Sequence, residues 1–225
     1  MKYCWFILVL FCATSCIEIV DDLTVKSDGS GTFKYTINLS SSKVKVNSLL
    51  ALDSLNGKKV PSVTEIEKKI YYYRDKLEKK EGISNVKVEN NFNDFIFKFQ
   101  GDFESVAILQ KAIKEIVAEE NKSWVDENYT WAMWDGQKFI RRNPKISKET
   151  IGKLKVEDIE GLKRGSYISI TRFDKPIEKA ENPNSQISAN RLAVMLKTTP
   201  YMLTQNAQLL ENTISFGSMK KEVKN

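Results

Sequence analysis

An α+β fold is what the sequence predicts: a largely antiparallel sheet built from hairpins, with helices packed on one face. Three observations carry that expectation. Short runs alternate apolar and polar residues, and they come in pairs separated by Gly, Asp or Asn. Between the pairs stand longer runs with an apolar residue every three or four positions, the spacing of one helix face. No tandem repeat is visible at periods of about 20–50 residues, so a solenoid is excluded.

The elements follow in order. Residues 17–25 and 33–39 alternate with period two around Ser27-Asp28-Gly29-Ser30-Gly31, which predicts a β-hairpin. Ser40-Ser41-Ser42 offers caps for a helix over about residues 42–54, before Asn56-Gly57. Ser62 and Glu65 have the spacing of a capping box. Val63, Ile66, Ile70, Tyr73 and Leu77 then repeat as an amphipathic helix that stops at Gly82. Val86/Val88 and Phe95/Phe97/Phe99 read as a second hairpin. Phe103, Val106, Leu109, Ile113, Ile116 and Val117 read as a second amphipathic helix, capped by Asp102. Residues 129–134 and 137–141 flank Asp135-Gly136 and predict a third hairpin. Residues 143–165 read as a connection with a short helix. Residues 167–173, 191–197 and 213–216 read as strands, and 199–208 as helical. Residues 217–225 read as a disordered tail. The organisation expected is a leader at 1–15 that is removed and a single domain at 16–216, with a sub-boundary near 121–127 as the alternative.

The leader carries the most specific signal. Lys2, then an apolar run from Cys4 to Phe11, then Cys12-Ala13-Thr14-Ser15 make a secretory signal peptide. The apolar run is shorter than the roughly 20 residues a membrane-spanning helix needs. Ala13-Thr14-Ser15-Cys16 reads as a lipobox, with alanine where leucine is favoured. Cys4 and Cys12 leave with the leader, so Cys16 becomes the one cysteine of the mature chain. A lone thiol is odd in an exported protein. A cysteine bearing acyl chains is not, so Cys16 is the expected lipidation site. Ile17, Ile19, Leu23 and Val25 begin their alternation at once, which leaves no flexible tether. The domain should therefore sit close to the bilayer.

Composition limits the chemistry. The 225 residues are 41% hydrophobic and 28% charged, with 35 basic residues against 29 acidic ones. That is ordinary for a folded domain with a mixed-charge surface. No histidine is present, which removes the commonest general base and metal ligand together. Without histidine no Ser-His-Asp or Cys-His arrangement can form. Ser40-x-x-Lys43 has serine–lysine spacing but sits at a strand end, where a cap is the simpler role. Asp21 and Asp22, as strand neighbours, point to opposite faces and do not make a cation site. No catalytic residue, metal site or cofactor is expected, and nucleic acid is a poor fit to an exported chain of modest charge.

Trp124, Tyr129, Trp131 and Trp134 crowd together beside Lys138, Arg141 and Arg142. They are the candidate binding surface if exposed, and core rings of a large sheet if not. The partners expected are the membrane, through the N-terminal lipid, and a lipid or an envelope protein.

The lipobox followed by a strand, Asp28-Gly29-Ser30-Gly31 and a second strand resembles the opening of Bacteroidota envelope lipoproteins of unassigned role. It is also similar to LppM-type domains of envelope lipoproteins. Residues 167–176, followed by Ile177 and Ile187-Ser188, share that likeness. The resemblance implies a lipid-related role, and Cys16 is the one functional residue it carries over. The function expected is a membrane-anchored, non-catalytic binding module, with a structural subunit of an envelope complex or a carboxylate-based hydrolase as the alternatives.

Overall fold

The computed structural model describes residues 17–55, 57–120, 130–143 and 156–217. Cys16, Trp124, Tyr129, the sub-boundary at 121–127 and residues 218–225 of the tail lie outside them. The first hairpin forms as the alternation predicts. β1 (Glu18–Val25) pairs antiparallel with β2 (Gly31–Asn38). The turn between them needs Gly29, whose φ is +86°. The Asp28 carboxylate accepts from the Ser30 amide and hydroxyl at 2.9 and 2.7 Å. Those bonds hold its pKa below the usual carboxylate range.

A short 3-10 turn at Ser40–Ser42 leads into α1 (Lys43–Leu50). A two-stranded ribbon follows, β3 (Ser54–Leu55) with β4 (Lys58–Lys59). α2 (Val63–Glu78) starts at the predicted capping box. Ser62 Oγ accepts from the Glu65 amide at 3.2 Å, and the Ser62 amide donates to Glu65 Oε2 at 2.7 Å. Ser62→Ala should cost about 1 kcal/mol, read as a drop in the urea midpoint. Lys59 first, and then Ser62, hold the Glu65 carboxyl down to about 2, below its ordinary 4.5. A group depressed in the folded state stabilises above its unfolded pKa. Its contribution should therefore fade as pH falls from about 4.5 to about 2, and an NMR titration of Glu65 should show that low midpoint.

β5 (Ile83–Asn91) and β6 (Ile96–Phe103) form the second hairpin. α3 (Val106–Glu120) follows. Its start corrects the sequence reading: Asp102 and Phe103 are still strand residues paired with Thr32 and Gly31. The Asp102 carboxylate accepts from the Asn85 side chain, and Ser105 Oγ takes the Ile108 amide instead. The remaining elements are β7 (Ala132–Trp134), β8 (Lys138–Arg141), α4 (Val156–Arg164), β9 (Ser166–Phe173), β10 (Ile177–Ala180), β11 (Gln186–Ile187), β12 (Ala193–Thr198), α5 (Pro200–Gln205) and β13 (Asn212–Phe216).

The large sheet has seven strands in the order β11-β12-β9-β1-β2-β6-β5. All its pairings are antiparallel except β1 with β9. Strands from both halves of the chain therefore share this sheet. The third hairpin does not join it. β7 and β8 pair with β13 and β10 in a separate four-stranded sheet, order β10-β13-β8-β7. The physical reason lies in the core. α2 and α3 cover the β5–β6 side of the large sheet, through Leu77, Val106 and Leu109. The second sheet covers the remainder with Phe139, Ile177 and Ile214, all essentially inaccessible.

Candidate functional site

The odd-numbered residues of β1 face this interior. Leu23 and Val25 are buried, and Asp21 shares their register. Its strand partners in the sheet are Tyr35 and Ser169. Across the gap, β8 points Arg141 inward, with only 6% of its surface exposed. Arg141 Nη2 donates to Asp21 Oδ2 at 2.5 Å, and Nη1 donates to Ser169 Oγ at 2.6 Å. The Tyr167 hydroxyl donates to the same Asp21 oxygen at 3.2 Å. Burial, with the Asp21 charge next, pushes Tyr35 up to about 12 and raises Tyr167 further. Both phenols thus stay protonated and neither is a nucleophile at neutral pH. The cluster is an ionic bolt between two sheets. Sequence reasoning missed Tyr35, Tyr167 and Ser169, and set Arg141 beside the tryptophans rather than with Asp21. The available signal was Asp21, the one charge in an otherwise apolar register.

Asp22 takes the opposite face, as expected of a strand neighbour, and binds the Arg172 guanidinium at 2.9 Å. Other carboxylates are paired too: Asp94 with Lys43, Glu89 with Lys98, Glu115 with Lys80 and Glu160 with Lys163. Every carboxylate with a displaced pKa among the described residues is displaced downward, by such partners or by turn hydrogen bonds. Among the described residues no three Asp, Glu, Cys or His gather to hold a metal.

The tryptophans divide. Trp134 is half-buried and stacks on Phe173, at 6.5 Å between ring centres, with Phe216 edge-on at 5.5 Å. Lys175 closes this box, its Nζ 4.6 Å from the Trp134 ring and 4.5 Å from Phe216, while it donates to the Gly136 carbonyl. The box already holds a cation of its own chain. Trp131 is also half-buried and packs on the core. Its amide and that of Ala132 both donate to Gln110 Oε1. Of the four candidate rings, the two described ones are thus walls of the core, and Arg141 nearby in sequence is interior.

The outward face of the β2–β6–β5 region carries a shallow basin of about 460 Å³, lined by Thr32, Lys34, Lys87, Gln100 and Asp102 among others. It is polar and open. Among the described residues no helix is long and apolar enough to cross a membrane.

No family model and no curated protein matches the chain. Among solved structures, it is similar to the folded domain of Mycobacterium tuberculosis LppM determined by NMR. The two are 10% identical, with 92% of this chain and 94% of that chain covered and a TM-score of 0.44.

Proposed function

We propose that this protein is a lipid-anchored, non-catalytic binding module of the bacterial envelope, held through Cys16 on the periplasmic face of the outer membrane. One observation carries the reading. A single residue separates Cys16 from the large sheet: the Ile17 carbonyl accepts from the Ser166 amide at 2.8 Å, and β1 begins at Glu18. Acyl chains on Cys16 therefore bring a rigid edge to the bilayer rather than a domain on a leash. Two or more chains hold such a protein stably, whereas one gives marginal binding. Satisfied ion pairs and high-pKa phenols fit binding better than catalysis. The partner is a component of the membrane surface, lipid or protein, within reach of that edge.

Cys16→Ala should move the protein from the detergent-rich to the aqueous phase on detergent phase separation. Mass spectrometry of the native protein should show the acylated Cys16 peptide. An unmodified Cys16 in the membrane-purified protein would overturn the proposal.

A further inference from the structure

One stretch of the chain makes little use of its apolar residues. Among the described residues from Lys43 to Glu65, none is buried. α1 contributes nothing to the core. Val44 is 82% exposed, and Leu52, Leu55 and Val63 are 39–44% exposed. Val46, Leu49 and Leu50 are only half-covered. Isolated exposed apolar side chains are normal, but several of them in one stretch that buries none of its described residues mark a contact surface.

Charge says what kind. Residues 43–60 hold Lys43, Lys45, Lys58 and Lys59 against a single acid, Asp53. Lys43 and Lys59 are in exposed ion pairs with Asp94 and Glu65, and Lys45 and Lys58 are exposed. Position says where. Asn38, at the end of β2, pairs with Glu18 and donates to its carboxylate at 3.3 Å. The arm leaves the sheet just beyond Asn38, at the end where the chain continues toward Cys16. Basic and apolar side chains mixed on one protrusion suit an interface of anionic headgroups over acyl chains.

We infer that the arm from α1 through the β3–β4 ribbon is a second membrane contact, seating Val44, Leu52 and Leu55 among anionic lipid headgroups beside the anchor. The inference rests on the reading of Cys16 as the anchor for its geometry, since the anchor fixes which end faces the bilayer. Two points of attachment would set the orientation of the large sheet against the membrane.

The test uses the acylated protein in phosphatidylethanolamine–phosphatidylglycerol vesicles. An environment-sensitive fluorophore is placed on Val44→Cys or, as control, Gln137→Cys. Gln137 is exposed in the β7–β8 turn, next to the Trp134 that packs on Gly29, so it lies at the far end of β1. That is about 25 Å from the arm by the rise of an eight-residue strand. Headgroup-level nitroxide lipids should quench residue 44 and not residue 137. Lys45→Glu with Lys58→Glu should lower the inserted-to-free ratio more than about tenfold, because each lysine near an anionic surface is worth about fivefold. Equal quenching at both sites, or quenching at 44 unchanged by the double charge reversal, overturns the inference. So does a position 44 shielded only when another envelope protein is added. The two readings fail separately. Flotation with the vesicles while residue 44 stays unquenched sinks the arm alone. Quenching at residue 44 in protein whose Cys16 peptide mass spectrometry finds unmodified sinks the anchor alone.

Discussion

Arg141→Ala is expected to destabilise the fold by about 3–5 kcal/mol, the cost of breaking a buried ion pair from one side. The size follows from what is left behind. Asp21 is 22% exposed at its side chain, so water can reach it only in part. Without the guanidinium it keeps the Tyr167 hydroxyl as a donor. Ser169, only 3% exposed, loses its Arg141 donor as well. Asp21→Ala should cost more than Arg141→Ala, because it strands the more deeply buried member, whose charge has fewer routes to solvent. Replacing both, as Arg141→Met with Asp21→Leu, should recover most of the loss, since a matched apolar pair carries no desolvation penalty. Urea unfolding of the four proteins measures all three costs. A cost near that of a surface pair, about 0–1 kcal/mol, would show that the two sheets do not depend on this bolt. Domains of this size have about 5–15 kcal/mol of stability in all, so the larger figure would remove a large share of it.

The same residues mark how far the sequence could be read. The first hairpin, the capping box at Ser62 and Glu65, and the helix over Val63–Glu78 were legible because each is decided within a few residues. The cap of α3 was misplaced by three residues. Asp102 and Ser105 are both good caps, and only the pairing of Phe103 with Gly31 decides between them. The parallel pairing of β1 with β9 joins residues about 150 apart, and no local pattern encodes it. β10 and β11 were missed for a related reason: they are short and borrow their register from β13 and β12. Arg141 illustrates the limit best. Beside aromatic rings in sequence it suggested a surface. Its partner, Asp21, stands 120 residues away, and only the fold shows that the two neutralise each other inside. Of the candidate site, Trp131 and Trp134 were legible as aromatic mass but not as core or surface, because alternation fails where Trp131 stands just outside β7.

Gly31→Ala should be as damaging as any core truncation, more than about 3 kcal/mol, although no special backbone angle is involved. In the sequence Gly31 reads as half of a turn signal, beside Gly29. The structure separates their roles. Gly29 is required by its φ of +86°. Gly31 is the first residue of β2, paired with Val25 on one side and Phe103 on the other, and its φ lies outside the left-handed region. What forbids a side chain there is space: a Cβ would fall 1.8 Å from the Thr24 carbonyl oxygen and 2.7 Å from Phe103 Cζ. The first contact is backbone, which no rotamer change relieves. Ordinary overpacking costs about 1–3 kcal/mol because side chains give way. Here the β1–β2 pairing itself must open, beneath the buried rings and methyl groups of Phe103, Val25 and Val106. Gly57→Ala is the matched control. Its φ is +76° but nothing lies within 4 Å of an added Cβ, so it should show conformational strain alone, about 1–2 kcal/mol. If urea midpoints put Gly31→Ala level with Gly57→Ala, close packing against Thr24 and Phe103 is not what Gly31 provides. If Gly31→Ala falls well below, hydrogen exchange should show the loss concentrated in β1 and β2. Those strands carry Asp21 to Arg141 and the chain from Ile17 into the sheet, so the substitution would loosen the bolt and the edge next to Cys16 together.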